Sequence, residues 1–227
     1  MTRKVPWIGT SWKMNKLRAD ALAFVETVKA SSVAQTLAVQ PFVIPPFPYI
    51  TEVANNLKGT RFRVGAQNMH WADAGAWKGE VSPLQIKDCG ATLVEIGHSE
   101  RRTFFGETDE TVALKTQAAL KHGLTALVCI GDTKAEFDAG QTAVALERQV
   151  RGLLKYVAGD ANSKVIIAYE PVWSIGEGGI PATPEFANEQ HIKIAALVQN
   201  ITGGTLPILY GGSVNPDNCV ELAQQSH

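Results

Sequence analysis

A short apolar run, a turn and a helix-like stretch follow one another seven times along the 227 residues. No other feature limits the fold as tightly. The runs are Val5–Gly9, Val39–Ile44, Phe62–Ala66, Thr92–Ile96, Ala126–Ile130, Val165–Tyr169 and Leu206–Tyr210. Most are β-branched or aromatic and nearly continuous, as expected of strands covered on both faces of a parallel sheet. Between them apolar residues recur at three- and four-residue steps, as in Leu146, Val150, Leu153 and Val157, or Ile194, Leu197, Val198 and Ile201. Thr183-Pro184-Glu185 supplies a cap, a first-turn proline and an acid at a helix start. Seven β-α units predict an α/β barrel or a doubly wound sheet. No GxGxxG opens a helix after a strand, and Gly176, Gly178 and Gly179 lack the context for dinucleotide binding, so the barrel is preferred. Residues 1–227 read as a single domain.

Charge then removes several function classes. With 21 basic and 22 acidic residues the net charge is −1, which argues against bulk nucleic-acid or polybasic membrane binding. A local cationic pocket for a small anion is compatible with it. Cys89, Cys129 and Cys219 form no CxxC pair and no His-rich cluster. That points to reduced, mostly buried thiols in a cytoplasmic protein, with no metal site and no disulfide framework. The apolar segment after Met1-Thr2-Arg3-Lys4 is too short for a signal-peptide core, and no run reaches the roughly eighteen apolar residues of a membrane helix.

The segment 67–82 breaks the rhythm. It carries Trp71, Trp77 and several glycines without helical or strand period. Such a long loop in a compact domain is usually functional or meets a partner, and exposed tryptophans favour the partner. It reads as a dimerisation loop.

Candidate chemistry sits just after the strands, where parallel α/β folds place their sites. Glu170 ends an apolar strand in Ala168-Tyr169-Glu170-Pro171, where partial desolvation suits a carboxylate to act as a base. Ser174 to Gly179 then has the composition of a lid. His98 follows another strand in Gly97-His98-Ser99-Glu100, and Ser99 or Glu100 could cap the helical turn beyond it. A helix N-terminus there would favour a neutral imidazole. Lys13 lies beyond the first strand and is a candidate for substrate charge. Gly211-Gly212-Ser213 leaves the last strand as a glycine-rich turn into a helix, the composition of an anion nest.

Taken together, these segments resemble triose-phosphate isomerase from Trp7 to about Leu222. The resemblance is carried by Trp12-Lys13-Met14-Asn15, Gly65-Ala66-Gln67-Asn68, Gly79-Glu80-Val81-Ser82, Gly97-His98-Ser99-Glu100-Arg101-Arg102, Cys129-Ile130-Gly131, Ala168 to Gly178, and Tyr210-Gly211-Gly212-Ser213. It implies a (β/α)8 TIM barrel and a cofactor-free aldose–ketose isomerase that works through an enediolate. Glu170 would be the shuttling base, His98 the electrophile, Lys13 the fixed positive charge and Glu100 a supporting acid. The base and neutral-imidazole roles are carried over from triose-phosphate isomerase itself, where that tuning is well known. Ser11, Gly176, Gly211, Gly212 and Ser213 would bind substrate or its phosphate. Gln67, Lys78, Glu80 and Arg101 would lie at a homodimer interface formed by the 67–82 loop.

Three departures from the family pattern stand out. Ser11 replaces an asparagine beside the lysine, and Lys78 replaces a threonine of the protruding loop; these two positions would meet across the dimer. That coupled change suggests a substrate one carbon longer. The lid hinge carries Ile180-Pro181 and is one residue longer. At the end, the pattern would continue past His227 with an eighth β-α unit, so the barrel is expected to be incomplete at the C-terminus. The first expectation is interconversion of dihydroxyacetone phosphate and glyceraldehyde 3-phosphate, as in glycolysis and gluconeogenesis. The alternative is isomerisation of a tetrulose phosphate (erythrulose phosphate) in tetritol catabolism, whose enzymes the chain resembles at Gln67-Asn68-Met69-His70-Trp71. An inactive barrel kept for binding is a third, which intact Lys13, His98 and Glu170 argue against.

Overall fold

The computed structural model describes residues 5–32, 35, 36, 38–157, 164–175 and 179–226. Seven strands alternate with helices: β1 (Trp7–Ser11), α1 (Arg18–Ala30), β2 (Gln40–Ile44), α2 (Ile50–Asn56), β3 (Arg63–Ala66), α3 (Pro83–Asp88), β4 (Leu93–Ile96), α4 (Ser99–Phe105), α5 (Asp109–Lys121), β5 (Thr125–Ile130), α6 (Lys134–Asp138), α7 (Thr142–Leu154), β6 (Val165–Tyr169), α8 (Pro184–Thr202), β7 (Ile208–Tyr210) and α9 (Cys219–Ala223). The sheet order is β1 to β7 in sequence. That order belongs to a (β/α) barrel; a doubly wound sheet reverses direction at a switch point.

The chain forms two compact units, Met1–Ile96 with Ala118–Ala126, and Gly97–Gln117 with Leu127–His227. In the first, β1 pairs with β2, β2 with β3 and β3 with β4, all parallel. In the second, β6 pairs with β7, again parallel. The inner strands β2, β4, β5 and β6 are almost wholly buried, as their continuous apolar runs predict. β1 behaves differently. Its run suggests Val5–Gly9, yet the strand covers Trp7–Ser11, because the ladder to β2 carries it through Thr10↔Val43 and Ser11↔Ile44. Ladder partners, not hydropathy, fix its end.

The α7 stripe behaves as read, with Leu146, Val150 and Leu153 buried; along α8 Ile194 and Val198 are buried, but Leu197 is half-buried and Ile201 exposed. The Thr183 hydroxyl accepts from the Phe186 N–H at 3.2 Å and starts α8 as expected. Gly211-Gly212-Ser213 does not lead straight into a helix. The Asn215 side chain takes the N–H groups of Asp217 and Asn218, and α9 begins only at Cys219. Asparagine competes with the helix for those donors. Of the cysteines only Cys129 is buried; Cys89 is half-buried, and Cys219 is exposed because the five-residue α9 buries nothing. Among the described residues no helix is long and apolar enough to cross a membrane.

Candidate active site

In the first unit, the loop after β1 is held from several directions. The Trp12 side chain is buried and packs edge-on against Phe24 at 5.2 Å, while its backbone N–H donates to the Ile44 carbonyl at 3.0 Å. The Gln67 amide, leaving β3, donates to the carbonyls of Lys13 at 2.9 Å and Ile44 at 3.3 Å. Between these anchors Lys13 adopts φ 53°, a left-handed conformation rarely seen outside glycine. Strain of this kind collects at functional positions. Gln67, expected at a dimer interface, therefore braces the Lys13 loop within its own chain.

Ser11 has a partner that the sequence reading missed. Its hydroxyl donates to Glu95 Oε2 at 2.8 Å. Glu95 is 8 % exposed and is the third residue of the otherwise apolar Leu93-Val94-Glu95-Ile96. A carboxylate inside a buried apolar strand is itself a signal, since burying a charge costs free energy unless it is used. The strand pattern hid it.

The 67–82 loop is irregular, as expected, but its tryptophans are not simply exposed. His70 is stacked on Trp71 at 4.1 Å and lies 4.2 Å from Trp77, while its Nδ1 accepts from the Ala72 N–H at 2.9 Å. Asp73 ties the loop to Lys121 and His122 at 2.7 and 2.6 Å. Trp77, Lys78 and Glu80 remain exposed at the tip.

In the second unit the candidate acid–base pair comes together. Glu170 is 5 % exposed, and its Oε1 lies 3.6 Å from His98 Nε2. Its Oε2 accepts from the Ser99 N–H at 3.3 Å. His98 is itself the N-cap of α4: its Nδ1 accepts from the Glu100 N–H at 3.2 Å. The sequence reading gave that capping role to Ser99 or Glu100. A ring nitrogen that accepts from a backbone N–H carries no proton, so the remaining proton belongs on Nε2. The result is a neutral imidazole whose donor nitrogen faces the carboxylate. At 3.6 Å the two do not hydrogen-bond directly, which suits a pair acting on a third group. The Glu100 carboxylate stands 3.9 Å from Nδ1 and is 42 % exposed.

Two glycines let the backbone close around Glu170. A Cβ on Gly131 would lie 1.8 Å from the Glu170 carbonyl oxygen, and one on Gly211 would lie 2.8 Å from Glu170 Cγ. Gly131 is clamped by the buried Gln149 amide, which accepts its N–H at 2.9 Å and donates to its carbonyl at 2.7 Å. The Gly211 N–H is committed to the Tyr169 carbonyl at 2.8 Å, so its place beside Glu170 is steric. Gly212 packs against Tyr210, whose buried phenol is pushed above its ordinary range by desolvation. The Ser213 hydroxyl donates to the Ser174 carbonyl at 2.6 Å and so holds the start of the segment read as a lid. Gly176 and the middle of that segment lie outside the described residues.

The near end of the segment read as a lid is anchored. Asp132, fully buried, accepts from Tyr169 at 3.1 Å, Trp173 at 3.2 Å and Thr142 at 2.7 Å. Burial, then the Asp132 charge, push the Tyr169 phenol far up, so it stays a donor. Arg101, expected at an interface, donates Nε to Glu107 Oε1 at 2.7 Å and leaves 26 % of its side chain exposed. A cleft of about 320 Å³ is lined by residues including Arg102, Asp109, Glu136 and Arg148. Those charges pair with one another at 2.7 to 3.2 Å, which leaves no surplus for an anion.

The sequential parallel β/α order is that of a (β/α) barrel, and beyond its strand ends a buried carboxylate and an imidazole face each other at 3.6 Å. Over residues 6–227 the chain matches the family model described as triosephosphate isomerase, and it belongs to that family. It is therefore a sugar-phosphate isomerase. It is 51 % identical over 228 residues to a protein of Rhizobium meliloti (strain 1021), covering 100 % of this chain and 89 % of that one. A protein of Brucella abortus (strain 2308) is 52 % identical over 222 residues, covering 97 % and 87 %. One of Mesorhizobium japonicum is 53 % identical over 228 residues, covering 98 % and 88 %. All three relatives are named L-erythrulose-1-phosphate isomerase.

Proposed function

We propose that the chain isomerises a four-carbon ketose phosphate, erythrulose 1-phosphate, and that Glu170, His98 and Lys13 carry the reaction. The observation behind the mechanism is the buried Glu170–His98 pair, with His98 Nδ1 capping α4 and Nε2 turned to the carboxylate. The names of the relatives support the choice of sugar.

The phosphate sets the register. In erythrulose 1-phosphate the carbonyl is at C2, and the carbon beyond it, away from the phosphate, is the carbinol C3. Glu170 removes the proton from C3, the C2 oxygen gains negative charge, and the Nε2–H of His98 hydrogen-bonds to it. Returning the proton to C2, with the hydroxyl proton passing from the C3 oxygen to the C2 oxygen, leaves the carbonyl at C3. Atoms balance, and no oxidant or cofactor enters. The product is the 4-phosphate of the ketose, so on this substrate the reaction is a ketose–ketose shift. Lys13 supplies fixed positive charge toward the dianionic substrate. Ser213 and Gly212, with Gly176, serve the phosphate.

The chain acts as a cytoplasmic homodimer through the exposed tip of the 67–82 loop, whose Trp77 is 49 % exposed. Interconversion of triose phosphates is the second reading, favoured by the intact Trp12–Asn15 and Gly97–Arg102 segments, which would serve either sugar. The deciding experiment compares kcat/KM on erythrulose 1-phosphate and on dihydroxyacetone phosphate. Preference for the tetrulose supports the proposal; preference for the triose refutes the choice of sugar. Absence of turnover on both, with tight binding of a partner, would support the inactive barrel.

A further inference from the structure

We infer that Arg102 is a positioning residue for His98: it grips both peptide carbonyls that flank the His98 α-carbon and so fixes the direction of the ring. The inference rests on the role proposed above for His98. Arg102 stands in α4, the helix that His98 caps. Its backbone N–H donates to the His98 carbonyl at 3.1 Å, and its side-chain Nε donates to the Gly97 carbonyl at 2.8 Å. The peptide that enters His98 and the one that leaves it are thus held by one residue. Nη2 reaches on to the Cys129 carbonyl in β5 at 3.4 Å.

The Gly97 peptide needs such a hold. Gly97 is buried and adopts φ 73°, in the left-handed region, so the chain turns sharply between β4 and the His98 cap. A Cβ there would lie 3.1 Å from Arg102 Nη2 and 2.8 Å from Val112 Cγ2, so glycine is also what lets the guanidinium close over the turn. A buried carbonyl stripped of its donor is costly, and the peptide would turn to find another. His98 would turn with it. The bond from the Glu100 N–H to Nδ1, which leaves the proton on Nε2, depends on where the His98 backbone sits.

The guanidinium is itself held in place. Nη1 donates to Asp109 Oδ1 at 2.7 Å, Asp109 Oδ2 accepts from Arg148 Nε at 3.1 Å, and Arg148 Nη1 meets Glu136 Oε1 at 3.2 Å. Glu136 in turn accepts the Thr133 N–H at 2.8 Å, two residues beyond the Gly131 that backs onto Glu170. A ladder of alternating charge therefore runs from the peptide before His98 to the loop behind Glu170. Lysine could not stand in for the arginine. An ammonium is a single point, whereas the planar guanidinium presents donors in several directions from one rigid frame. Arg102 also lines the cleft of about 320 Å³, so a small cation can reach the place its guanidinium fills.

The test compares the wild type with Arg102→Lys, Arg102→Ala and Asp109→Asn by kcat, by KM and by the ring-nitrogen NMR spectrum of His98. Arg102→Lys should lose on the order of 10²-fold in kcat on erythrulose 1-phosphate with KM little changed, since a misplacement of about 1 Å costs that much. Its ring nitrogens should move from the single Nε2-protonated pattern of the wild type toward a mixture of tautomers. Added guanidinium should restore part of the kcat of Arg102→Ala and leave the wild type unaffected. Asp109→Asn keeps Arg102 and weakens only its brace, so it should show the same changes to a smaller degree, and it decides the matter if the other variants fold poorly. Unchanged kcat, or a loss matched by the loss of folded protein with a wild-type ring spectrum, would overturn the inference and leave Arg102 a structural ion-pair partner. Full turnover by His98→Gln would instead overturn the reading of His98, while the ring spectra still judge Arg102. If the wild type turns over only dihydroxyacetone phosphate, the choice of sugar falls and the same comparison is made on that sugar.

Discussion

Glu107 follows the helix that His98 caps, and it offers a sharp test of how that helix is held. Its side chain is 5 % exposed and bonds to Arg101 at 2.7 Å and to Lys115, whose side chain is 4 % exposed. Burial works to raise the Glu107 pKa, but hydrogen bonds from Arg101 and Lys115 prevail and hold it below the ordinary carboxylate range. Glu107→Gln removes the charge that Arg101 and Lys115 both bond to, and breaking a buried ion pair from one side costs about 3–5 kcal/mol. For a chain of this size one kcal/mol shifts Tm by roughly 2–4 °C, so Tm should fall by about 6–20 °C. Adding Lys115→Met removes the buried ammonium as well and should restore at least half of that loss, since an apolar pair can replace a buried ion pair. The pH dependence has a definite sign. The folded-state pKa lies below the unfolded value of about 4.3, so the stabilisation is complete above that pH and disappears as pH falls through the folded pKa. Urea melts at pH 7, 5 and 4 should therefore show the Glu107→Gln deficit shrinking only at the acidic end. A deficit under about 1 kcal/mol at pH 7, or a double mutant less stable than the single one, would refute the reasoning.

Two further substitutions probe the base. Gly211→Ala puts a methyl group 2.8 Å from Glu170 Cγ, displacing the carboxylate. Since a misplacement of about 1 Å can cost 10²-fold, kcat should fall by about that factor while KM changes little; unchanged kcat would mean the base does not work from this position. Gln149→Leu strips both hydrogen bonds from the Gly131 peptide. It should cost about 3 kcal/mol in a denaturant melt and lower kcat, because Gly131 backs directly onto the Glu170 carbonyl.

The sequence shows strands more clearly than sites because hydropathy is a local signal. β6 is Val165–Tyr169, as its apolar run suggests, since both faces are buried and nothing polar competes. β1 shifts by two residues because Thr10 and Ser11 join the ladder through backbone groups that no side-chain pattern reports. Glu170 and His98 stand out in the sequence by their positions after strands, and the structure brings them to 3.6 Å of each other. Their mutual geometry does not stand out there, because the tautomer of His98 is set by the Glu100 backbone. Gln149 could not be found in advance: its partner is 18 residues away, and a lone glutamine in a helix carries no mark of the peptide it clamps. Glu95 was within reach. A single charge amid Leu93, Val94 and Ile96 was there to be read, and only the habit of averaging over a strand concealed it.

Lys13 has one more consequence, because it is a lysine where the backbone asks for a glycine. The left-handed conformation costs a residue with a Cβ roughly 1–2 kcal/mol, and glycine would escape that cost. On the role proposed for Lys13, folding and chemistry pull this codon in opposite directions. A consensus or thermostability screen blind to turnover would count the lysine as a defect and repair it. The proper design rule for this scaffold is the reverse: a position where the chain tolerates what its backbone disfavours marks the function to be kept, and stabilising changes belong elsewhere.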